Sequence, residues 1–385
     1  MKLYFIDEGL DKVGGVERII NSLANSLIEK YDIELISQYR TNDKPHFDYD
    51  SKIKINYLFD NRKLLSKKYK KNKIIYYSLR LIEKFVEYFT LKIKTIKFAR
   101  KIKNDDIVVF GRVPTALAFL PYTNAKKVIV REAIHLEYHK NKNKIKKYFP
   151  QKVNLFIVSS DENMKSYKKF LGNSVTIRKI YNPLSITPKV IENIDQKVVT
   201  SIGRFDTHKG YDYLIRAFKK VIEIHPDWKL RIVGDGYYKE NMVNLINNLK
   251  IENNITLVPA SKNVVEELNK ASIYVMASRF EGYANALVEA MSCGLSCISY
   301  NWLMGVEDII EDNKNGKIVK LTDRYRYFKT LDIIEEDINN LAEAIIDLID
   351  DRKIRNQFKK EAPKIIKTRQ KERILKEWEN IIDEK

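Results

Sequence analysis

Two pairs of charged residues in the second half of the chain have types and spacing suited to one ligand. The first pair, Arg204 and Lys209, lies in SIGRFDTHKG, directly after a predicted strand and its turn. Two cations at the end of a strand would stabilise the charge that builds on the oxygens of a diphosphate leaving group as a glycosidic bond breaks. The alternative is that Arg204 and Lys209 are solvated charges in a loop. This pair, taken alone, does not decide between the two interpretations.

The second pair consists of two carboxylates, Glu281 and Glu289, in ASRFEGYANALVEAMSCG. We expect Glu281 at the end of the strand IYVMAS and Glu289 on the helix that follows. The apolar neighbours of Glu289 would make an unpaired carboxylate unfavourable, which argues against an exposed helix residue. Gly282 lets the backbone approach a ligand, and the free N–H groups at the start of the helix suit a phosphate or sugar hydroxyls. Since a carboxylate accepts two hydroxyl hydrogen bonds, the pair could hold two sugar rings.

The elements that must position these residues alternate between short apolar strands and amphipathic helices. The strand candidates are KLYFID, IELIS, IKINYLF, DIVVFGR, KKVIVRE and NLFIVSS in the first half, and VVTSIGRF, WKLRIVGDG, ITLVPA, IYVMAS and SCISY in the second. Strands that alternate with helices predict parallel sheets covered on both faces, with ligands at the carboxyl ends of the strands. The fold class is therefore α/β, with two Rossmann-like doubly wound domains that face a cleft. The proline-containing segment 182–196 predicts a linker, which gives domains over 1–185 and 186–370 and a terminal helix over 371–385.

Composition excludes several other classes of protein. The 385 residues are 44% hydrophobic and 31% charged, which suffices to bury a core. No uninterrupted apolar run reaches the length of about 18 residues that predicts a transmembrane helix, and the acidic residues of MKLYFIDEGL argue against a signal peptide. The two cysteines, Cys293 and Cys297, are too few for a disulfide framework or a zinc site, so we expect a reduced cytoplasmic chain. Asp48 and Asp50 mimic a metal-binding Asp-x-Asp pair, but no strand leads into their loop. No metal site and no cofactor are expected.

The excess positive charge lies in one half of the chain. The net charge is +19, and residues 1–190 hold 39 Lys and Arg against 19 Asp and Glu. Segment 76–103 interleaves aromatic and apolar residues with cations at helical spacing, which suits an anionic bilayer surface. An ordinary helix with a solvated charged face is the alternative, and nucleic acid is not expected as a partner because no binding motif accompanies the charge. The candidates for membrane contact are Lys92, Lys94, Lys97, Arg100 and Lys101.

The motifs together resemble one enzyme family over nearly the whole chain. GGVER near the start, GRFDTHKG, IVGDG and FEGYANALVEAMSCGL are similar to the retaining glycosyltransferases of family 4, which have the two-domain GT-B architecture. The resemblance implies that Glu289 binds the ribose hydroxyls of a nucleotide-sugar donor and that Glu281 binds the transferred sugar. It implies that Arg204 and Lys209 hold the diphosphate in place of a metal ion, and that front-face attack retains the anomeric configuration. It also implies that the terminal helix, with Trp378, packs on the first domain.

Other positions extend this pattern or depart from it. The chain keeps Glu132 after the strand KKVIVRE but has Ala133 where many relatives have histidine. His135 or His139 could substitute, although a surface histidine is the commoner explanation. Glu132 and His135 are therefore candidates for acceptor binding or proton transfer, and no general base is assigned. The further donor contacts that the resemblance implies are Gly15, Ser261, Gly282, Tyr283, Ala284 and Asn285.

The combined hypothesis is a metal-independent, retaining hexosyltransferase that is cytoplasmic and peripheral on the inner face of a membrane. It would move a sugar from a nucleotide-diphosphate donor, expected to be a UDP-sugar, to a lipid-linked glycan or polymer acceptor in bacterial surface-polysaccharide synthesis. One alternative is a soluble glycosyltransferase that acts on a protein or a small molecule. A more distant alternative is a basic nucleic-acid-binding protein, whose binding would be salt-sensitive and indifferent to Glu281 and Glu289.

Overall fold

The computed structural model describes residues 1–12, 14–64, 73–192, 195–302, 305–323 and 333–384, and the side chains of residues 73 and 74 are not included. The chain divides into two compact units. The first comprises Met1–Ser159, Asn163–Ile180 and Ile374–Lys385, and the second comprises Ser160–Glu162 and Tyr181–Arg373. The chain thus changes unit after Ile180 and after Arg373, compared with the boundaries after 185 and 370 that the sequence predicts.

The first unit is built on one parallel sheet. Its strands are β1 (Lys2–Asp7), β2 (Asp32–Arg40), β3 (Lys54–Asp60), β4 (Ile107–Phe110), β5 (Lys127–Glu132), β6 (Leu155–Val158) and β7 (Thr176–Lys179). Their order across the sheet is β3-β2-β1-β4-β5-β6-β7. All four residues of β4 are buried, as a strand covered on both faces requires. The order reverses between β1 and β4, which is where ligands bind in doubly wound sheets.

Helices cover this sheet because their apolar residues recur at helical spacing. In α1, for example, Ile19, Ile20, Leu23 and Leu27 are buried. The helices between the strands are α1 (Gly15–Leu27), α2 (Lys73–Ala99), α3 (Val113–Phe119), α4 (Lys142–Lys152) and α5 (Asp161–Leu171). Short 3₁₀ turns lie at Asn61–Lys63 and Leu136–Tyr138.

The second unit repeats the design with a six-stranded parallel sheet. Its strands are β8 (Val198–Ile202), β9 (Lys229–Val233), β10 (Ile255–Val258), β11 (Ile273–Met276), β12 (Ser296–Tyr300) and β13 (Lys317–Val319). Their order is β10-β9-β8-β11-β12-β13, so the reversal falls between β8 and β11. The α/β class with two parallel sheets is therefore confirmed. The edge strands β7 and β13 were not among the strands that the sequence predicts.

Helices of the second unit bury residues such as Leu214, Phe218 and Leu341 in a core that includes Ile232 and Val275 of the sheet. They are α6 (Tyr211–Ile224), α7 (Lys239–Leu249), α8 (Val264–Leu268), α9 (Asn285–Ser292), α10 (Glu335–Asp350), α11 (Arg352–Glu361) and α12 (Ile366–Arg369). Cys293 and Cys297 are buried and unbridged, and burial raises the pKa of both thiols.

The last helix, α13 (Lys371–Asp383), returns to the first unit from Ile374 onward. There Trp378 is buried, and Lys30 Nζ lies 2.7 Å from Glu379 Oε1. Within the ranges given above, none of the helices combines the length and the apolar composition that crossing a bilayer requires.

Candidate active site

Arg204 lies in the loop that follows β8, beside the reversal point of the second sheet. The main chain of this loop is fixed by the loop after β9, where Phe205 N donates to Asp235 O at 2.8 Å. Gly236 makes that approach possible, because a Cβ at this position, with φ of +154°, would lie 2.3 Å from the carbonyl oxygen of Phe205. Arg204 Nε donates to Oδ2 of the buried Asp206 at 2.7 Å, while the Arg204 side chain is 69% exposed. A fixed carboxylate therefore orients a guanidinium that is accessible to a ligand.

Lys209 ends a 3₁₀ turn, Thr207–Lys209, and is brought to the neighbouring strand by the glycine that follows it. Gly210 has φ of +63°, in the left-handed region that glycine tolerates. A Cβ on Gly210 would lie 2.0 Å from the carbonyl oxygen of Ala277, the residue after β11. The loops after β8 and β11 therefore touch through main-chain atoms, and Lys209 reaches the carboxyl end of β11.

One cation and one carboxylate of the two pairs meet here. Lys209 Nζ lies 2.7 Å from Glu281 Oε1, and Ser278 Oγ donates to the same oxygen at 2.6 Å. The strand β11 ends at Met276, so Glu281 lies in the loop between β11 and α9, and its placement at the strand end was wrong. The reason is that the loop bonds to the turn beside it instead of continuing the sheet, since Arg279 N donates to His208 O at 2.8 Å.

Arg279 is a site residue that the sequence reasoning missed. Its side chain is 4% exposed, and its guanidinium donates to Thr207 O at 2.8 Å and to Asp212 Oδ2 at 2.5 Å. The guanidinium also lies over the ring of Tyr213, 4.6 Å from the centroid. Arg279 thus joins the turn that holds Lys209 to the loop that holds Glu281. The only hint in the sequence is that Arg279 directly follows an apolar strand. From a single sequence, such an arginine cannot be distinguished from a charged residue on the surface.

Glu289 is on α9 as predicted and is 5% exposed. Its Oε1 accepts a hydrogen bond of 2.7 Å from Ser185 Oγ. Ser185 belongs to segment 182–196, which the sequence predicts to be a linker. The segment instead packs within the second unit, where Leu184 N donates to Arg369 O at 2.8 Å and Ile191 N donates to Cys293 O at 2.8 Å. A buried carboxylate with a hydroxyl partner is suited to binding further hydroxyl groups.

The start of α9 lies between the two carboxylates in sequence. Its N-cap residue, Ala284, has no side-chain oxygen to accept from the first turn. Asn285 Oδ1 accepts from Asn182 Nδ2 at 3.1 Å. Gly282, Tyr283 and Ala284 therefore end the loop, and Asn285 begins the helix, where its N–H donates to Tyr283 O at 2.9 Å.

Tyr283 connects this turn to the end of the second unit. Its hydroxyl accepts from Arg369 Nε at 2.6 Å, and Arg369 is 2% exposed. Burial raises the pKa of the Tyr283 phenol to about 12, against the opposing effect of the Arg369 guanidinium. Arg369 also lies over the ring of Tyr181 and donates to Asp308 O at 2.9 Å. Tyr283 is therefore neutral and fixed, and its contribution to a ligand would come from its main chain.

Ser261 and Asn263 lie in the loop between β10 and α8, and two strands, β9 and β8, separate β10 from β11 in the sheet. Asn263 N donates to Ser261 Oγ at 3.1 Å, and Asn263 Oδ1 caps α8 by accepting from Glu266 N at 3.3 Å. Both side chains thus form local hydrogen bonds within this loop and with the start of α8. The structure does not bring them to the Lys209–Glu281 pair.

In the first unit, Glu132 is held at the end of β5 and is 2% exposed. It accepts from Val113 N, Ala133 N and Ile134 N at 2.9–3.0 Å. Its histidine neighbour is His139, whose Nε2 lies 3.4 Å from Glu132 Oε2, and burial lowers the pKa of His139.

His135 instead caps the turn Leu136–Tyr138, because its Nδ1 accepts from Glu137 N at 3.3 Å. Of the two histidines that the sequence leaves open, His139 is the one that the structure places at Glu132.

Gly15 is the first residue of α1. A cluster of charged residues, formed by Asp7, Glu17 and Arg112, lies at the start of the same helix. Arg112, after β4, lies 2.7 Å from Asp7 Oδ2 and 2.6 Å from Glu17 Oε1. Asp7 ends β1 and is fully buried, and this burial raises the pKa of its carboxyl to about 6 although Arg112 opposes the shift. Glu17 is the glutamate of GGVER, so this motif fixes a guanidinium at the reversal point of the first sheet.

The candidates for membrane contact lie on and just after α2. All five side chains are exposed: Lys92, Lys94, Lys97, Arg100 and Lys101. Among the residues that the structure describes, no three His, Cys, Asp or Glu side chains cluster as ligands of a metal ion would.

Comparisons with known proteins show which proteins this chain is similar to. The model of the family described as Glycosyl transferases group 1 matches residues 185–365, which contain all four charged residues of the two pairs. An uncharacterised glycosyltransferase of Haemophilus influenzae is 29% identical over 88% of this chain and 91% of its own length. The N-acetylgalactosamine-N,N'-diacetylbacillosaminyl-diphospho-undecaprenol 4-alpha-N-acetylgalactosaminyltransferase of Campylobacter jejuni is 26% identical over 84% of this chain and 87% of its own.

Among solved structures, a mutant of S. aureus TarM in complex with Fondaparinux, alpha-GlcNAc-glycerol and UDP superposes with a TM-score of 0.72. The superposition covers 100% of both chains at 17% identity, so it bears on the fold alone. The two parallel sheets with their covering helices therefore have the GT-B fold.

Proposed function

Because this chain belongs to the group 1 glycosyltransferases through residues 185–365, we propose that it moves a sugar from a UDP-sugar donor to a lipid-linked glycan or polymer acceptor. The reaction retains the anomeric configuration, needs no metal ion, and takes place at an anionic membrane surface. The observation that carries the proposal is the pairing of Lys209 with Glu281 at the reversal point of the second sheet, with Arg204 in the adjoining loop and Glu289 on the next helix.

Each of the four residues has a role that follows from its surroundings. Arg204 is exposed and oriented by Asp206, so it binds the diphosphate oxygens. Lys209 is close enough to Glu281 to neutralise charge on the departing phosphate beside the sugar. Glu281 accepts hydroxyl hydrogen bonds from the transferred sugar. Glu289 is buried and already accepts from a hydroxyl, so it binds the ribose hydroxyls of the nucleotide.

The chemical step breaks the bond between the anomeric carbon and the diphosphate oxygen. A new bond forms from the same carbon to the hydroxyl oxygen of the acceptor, on the face that the diphosphate leaves. The proton of that hydroxyl passes to the departing diphosphate. Arg204, Lys209 and the N–H groups at the start of α9 stabilise the charge on the leaving group, which is the task that a divalent cation performs in metal-dependent transferases.

The relatives support the proposed class of acceptor. The Campylobacter relative is named for a diphospho-undecaprenol acceptor. Other relatives are a poly(glycerol-phosphate) alpha-glucosyltransferase of Bacillus subtilis and a poly(ribitol-phosphate) alpha-N-acetylglucosaminyltransferase of Staphylococcus aureus. These acceptors are anionic and either lipid-linked or polymeric. The charge of the first half of this chain, with 39 Lys and Arg against 19 Asp and Glu in residues 1–190, suits such acceptors and the membrane surface that bears them.

A thermal-shift and hydrolysis screen against a panel of nucleotide sugars, with EDTA present throughout, tests the proposal. We expect a selective shift with UDP-sugars that is lost in Glu289→Ala. The matched control is Glu343→Ala, an exposed glutamate on α10 of the same unit. A shift that requires added Mg²⁺ or Mn²⁺, or no shift with any donor, would contradict the proposal.

A further inference from the structure

The long helix α2 exposes its apolar side chains. Most of the large hydrophobic side chains that are exposed among the described residues lie on it, and Phe85 and Phe89 are 62% and 56% exposed. At 100° per residue they fall within about half of the helix circumference, so they form one continuous apolar face. The members of this face are Ile75, Tyr77, Leu81, Ile82, Phe85, Val86, Tyr88, Phe89 and Ile93.

Three charged residues of α2, which are Arg80, Glu83 and Glu87, lie on the opposite side of the helix and are less exposed. Arg80 lies 3.3 Å from Glu87 and 3.9 Å from Glu83, and the two glutamate side chains are 16% and 14% exposed. Burial, aided by Glu87, raises the pKa of Tyr39 in β2 to about 12. A helix that serves only the core of its own domain would have the opposite arrangement. Among the described residues, nothing covers the apolar face of α2, so this face is available for contact with a partner.

A pocket of about 540 Å³ lies along the edge of this face. Four of its lining residues are cations and one is an anion, Glu87. Thr95, 3% exposed, also lines the pocket, and no atom of the described residues accepts from or donates to its hydroxyl. The cations are Arg80, Lys84, Lys92 and Lys144. Net positive charge and an unused buried hydroxyl suit a phosphate group.

We infer that α2 docks on an anionic phospholipid surface, with its apolar face in the boundary between headgroups and acyl chains and one lipid phosphate in the pocket beside it. The inference deepens the proposed function, because it identifies which element meets the membrane and rests on that membrane role. It does not involve the donor site, since every residue named lies in the first unit.

Charge complementarity favours a lipid surface over a second copy of the chain. Lys92 is exposed and, by its helical angle, lies near the middle of the apolar face, with its ammonium 5.8 Å from the ring centroid of Tyr88. Two copies packed face to face would bury these ammonium groups together, which is unfavourable. An anionic surface pairs with them instead, and the tyrosines of the face suit the polar boundary of a bilayer.

Flotation with vesicles tests the apolar face. The vesicles contain phosphatidylcholine with about 30 mol % phosphatidylglycerol. We expect Phe85→Ser/Phe89→Ser to reduce the partition coefficient at least about tenfold, because both rings would leave the acyl boundary. The matched control is Ile224→Ser/Val243→Ser, which changes two exposed apolar residues of the second unit and should leave partition unchanged.

The pocket is tested with a second lipid of the same charge. In these vesicles oleate, which has a carboxylate and no phosphate, replaces phosphatidylglycerol at equal surface charge. We expect the wild type to prefer phosphatidylglycerol, and Lys92→Gln/Lys144→Gln to lose that preference. The control Lys168→Gln/Lys169→Gln removes the same charge from the exposed face of α5 and should keep it. Thr95→Val, which removes the hydroxyl and no charge, should weaken the preference.

Three outcomes would overturn the inference. The first is equal flotation of wild type and Phe85→Ser/Phe89→Ser. The second is a wild type that does not float but forms a concentration-dependent dimer in sedimentation, when Phe85→Ser/Phe89→Ser abolishes that dimer. The third is loss of lipid preference in the control lysine variant as well. Hydrolysis of a UDP-sugar in solution, measured on the same samples, reports the donor site separately, so failure of the proposed function and failure of this inference are distinguishable.

Discussion

Lys209 and Glu281 form an ion pair at 2.7 Å, and main-chain contact between their loops fixes the distance. A diphosphate would compete with Glu281 for the ammonium. When it does so, the carboxylate gains acceptor capacity for the hydroxyls of the transferred sugar. With the roles proposed above, the pair would couple binding of the phosphate to binding of the sugar, because the ligand of each residue would release the other residue.

The first prediction concerns the cation of this pair. Lys209→Met should lower kcat by about 100- to 1000-fold, because the charge on the departing diphosphate loses a positioned cation. The measurement is steady-state transfer or donor hydrolysis with saturating donor. Lys219→Met, in α6 of the same unit, removes a partly exposed lysine that pairs only with Glu223 among the described residues. It should retain wild-type kcat, and a similar loss in both variants would refute the assigned role.

The two glutamates should respond differently to the nucleotide alone. Glu289→Gln should raise the Kd for UDP by about 10- to 100-fold, because the ribose hydroxyls lose a charged acceptor. Glu281→Gln should bind UDP no more weakly than wild type, since Lys209 is then freed for the phosphates, yet it should lose turnover. Isothermal titration calorimetry in EDTA measures both affinities. Equal weakening in the two variants would show that the division of roles is wrong.

Gly210 offers a test of the contact between the loops. Gly210→Ala and Gly172→Ala place a Cβ at nearly the same left-handed φ, +63° and +60°, which costs about 1–2 kcal/mol in each case. At Gly172 nothing lies within 4 Å of the new atom, whereas at Gly210 the carbonyl oxygen of Ala277 lies 2.0 Å away. Gly210→Ala should therefore lower Tm by more than Gly172→Ala and also lower kcat. Equal effects on Tm with full activity would argue against the contact.

Asp7 should give the first unit a pH-dependent stability. Its pKa is about 6 when folded and near 3.8 without burial, so it binds a proton more readily in the folded state. The stability that Asp7 contributes by binding this proton is present below pH 4 and is lost as the pH rises through about 6. The charge of Arg112 opposes the rise in the pKa of Asp7 but does not cancel it. The free energy of unfolding of wild type relative to Asp7→Asn should therefore fall by about 2 kcal/mol between pH 4 and pH 7. Urea titrations of both proteins measure this, and a difference that rises with pH would contradict it.

Much of the fold could be predicted because the parallel strands are buried on both faces and form continuous apolar runs. β7 and β13 were missed because four and three residues are too short to display a pattern. In the site, Glu281 and Glu289 could be recognised from spacing. The partner of Glu289, Ser185, could not, since their hydrogen bond spans 104 positions of the chain.

The orientation of α2 illustrates a second limit. Its helical period is evident in the sequence, but periodicity does not reveal which face meets the domain. The usual rule, apolar face inward, gives the wrong answer because Arg80, Glu83 and Glu87 are less exposed than Phe85 and Phe89. With the membrane role inferred above, the rule fails because the apolar face would have its partner outside the chain.

The return of residues 374–384 to the first unit has a consequence for the order of folding during synthesis. Tyr31 and Lys30, near the start of the chain, bond to Asp383, and Trp378 is buried in the same unit. These contacts form only after the whole of Tyr181–Arg373 has left the ribosome. The second unit, although later in sequence, can therefore finish folding while the first still lacks its last helix.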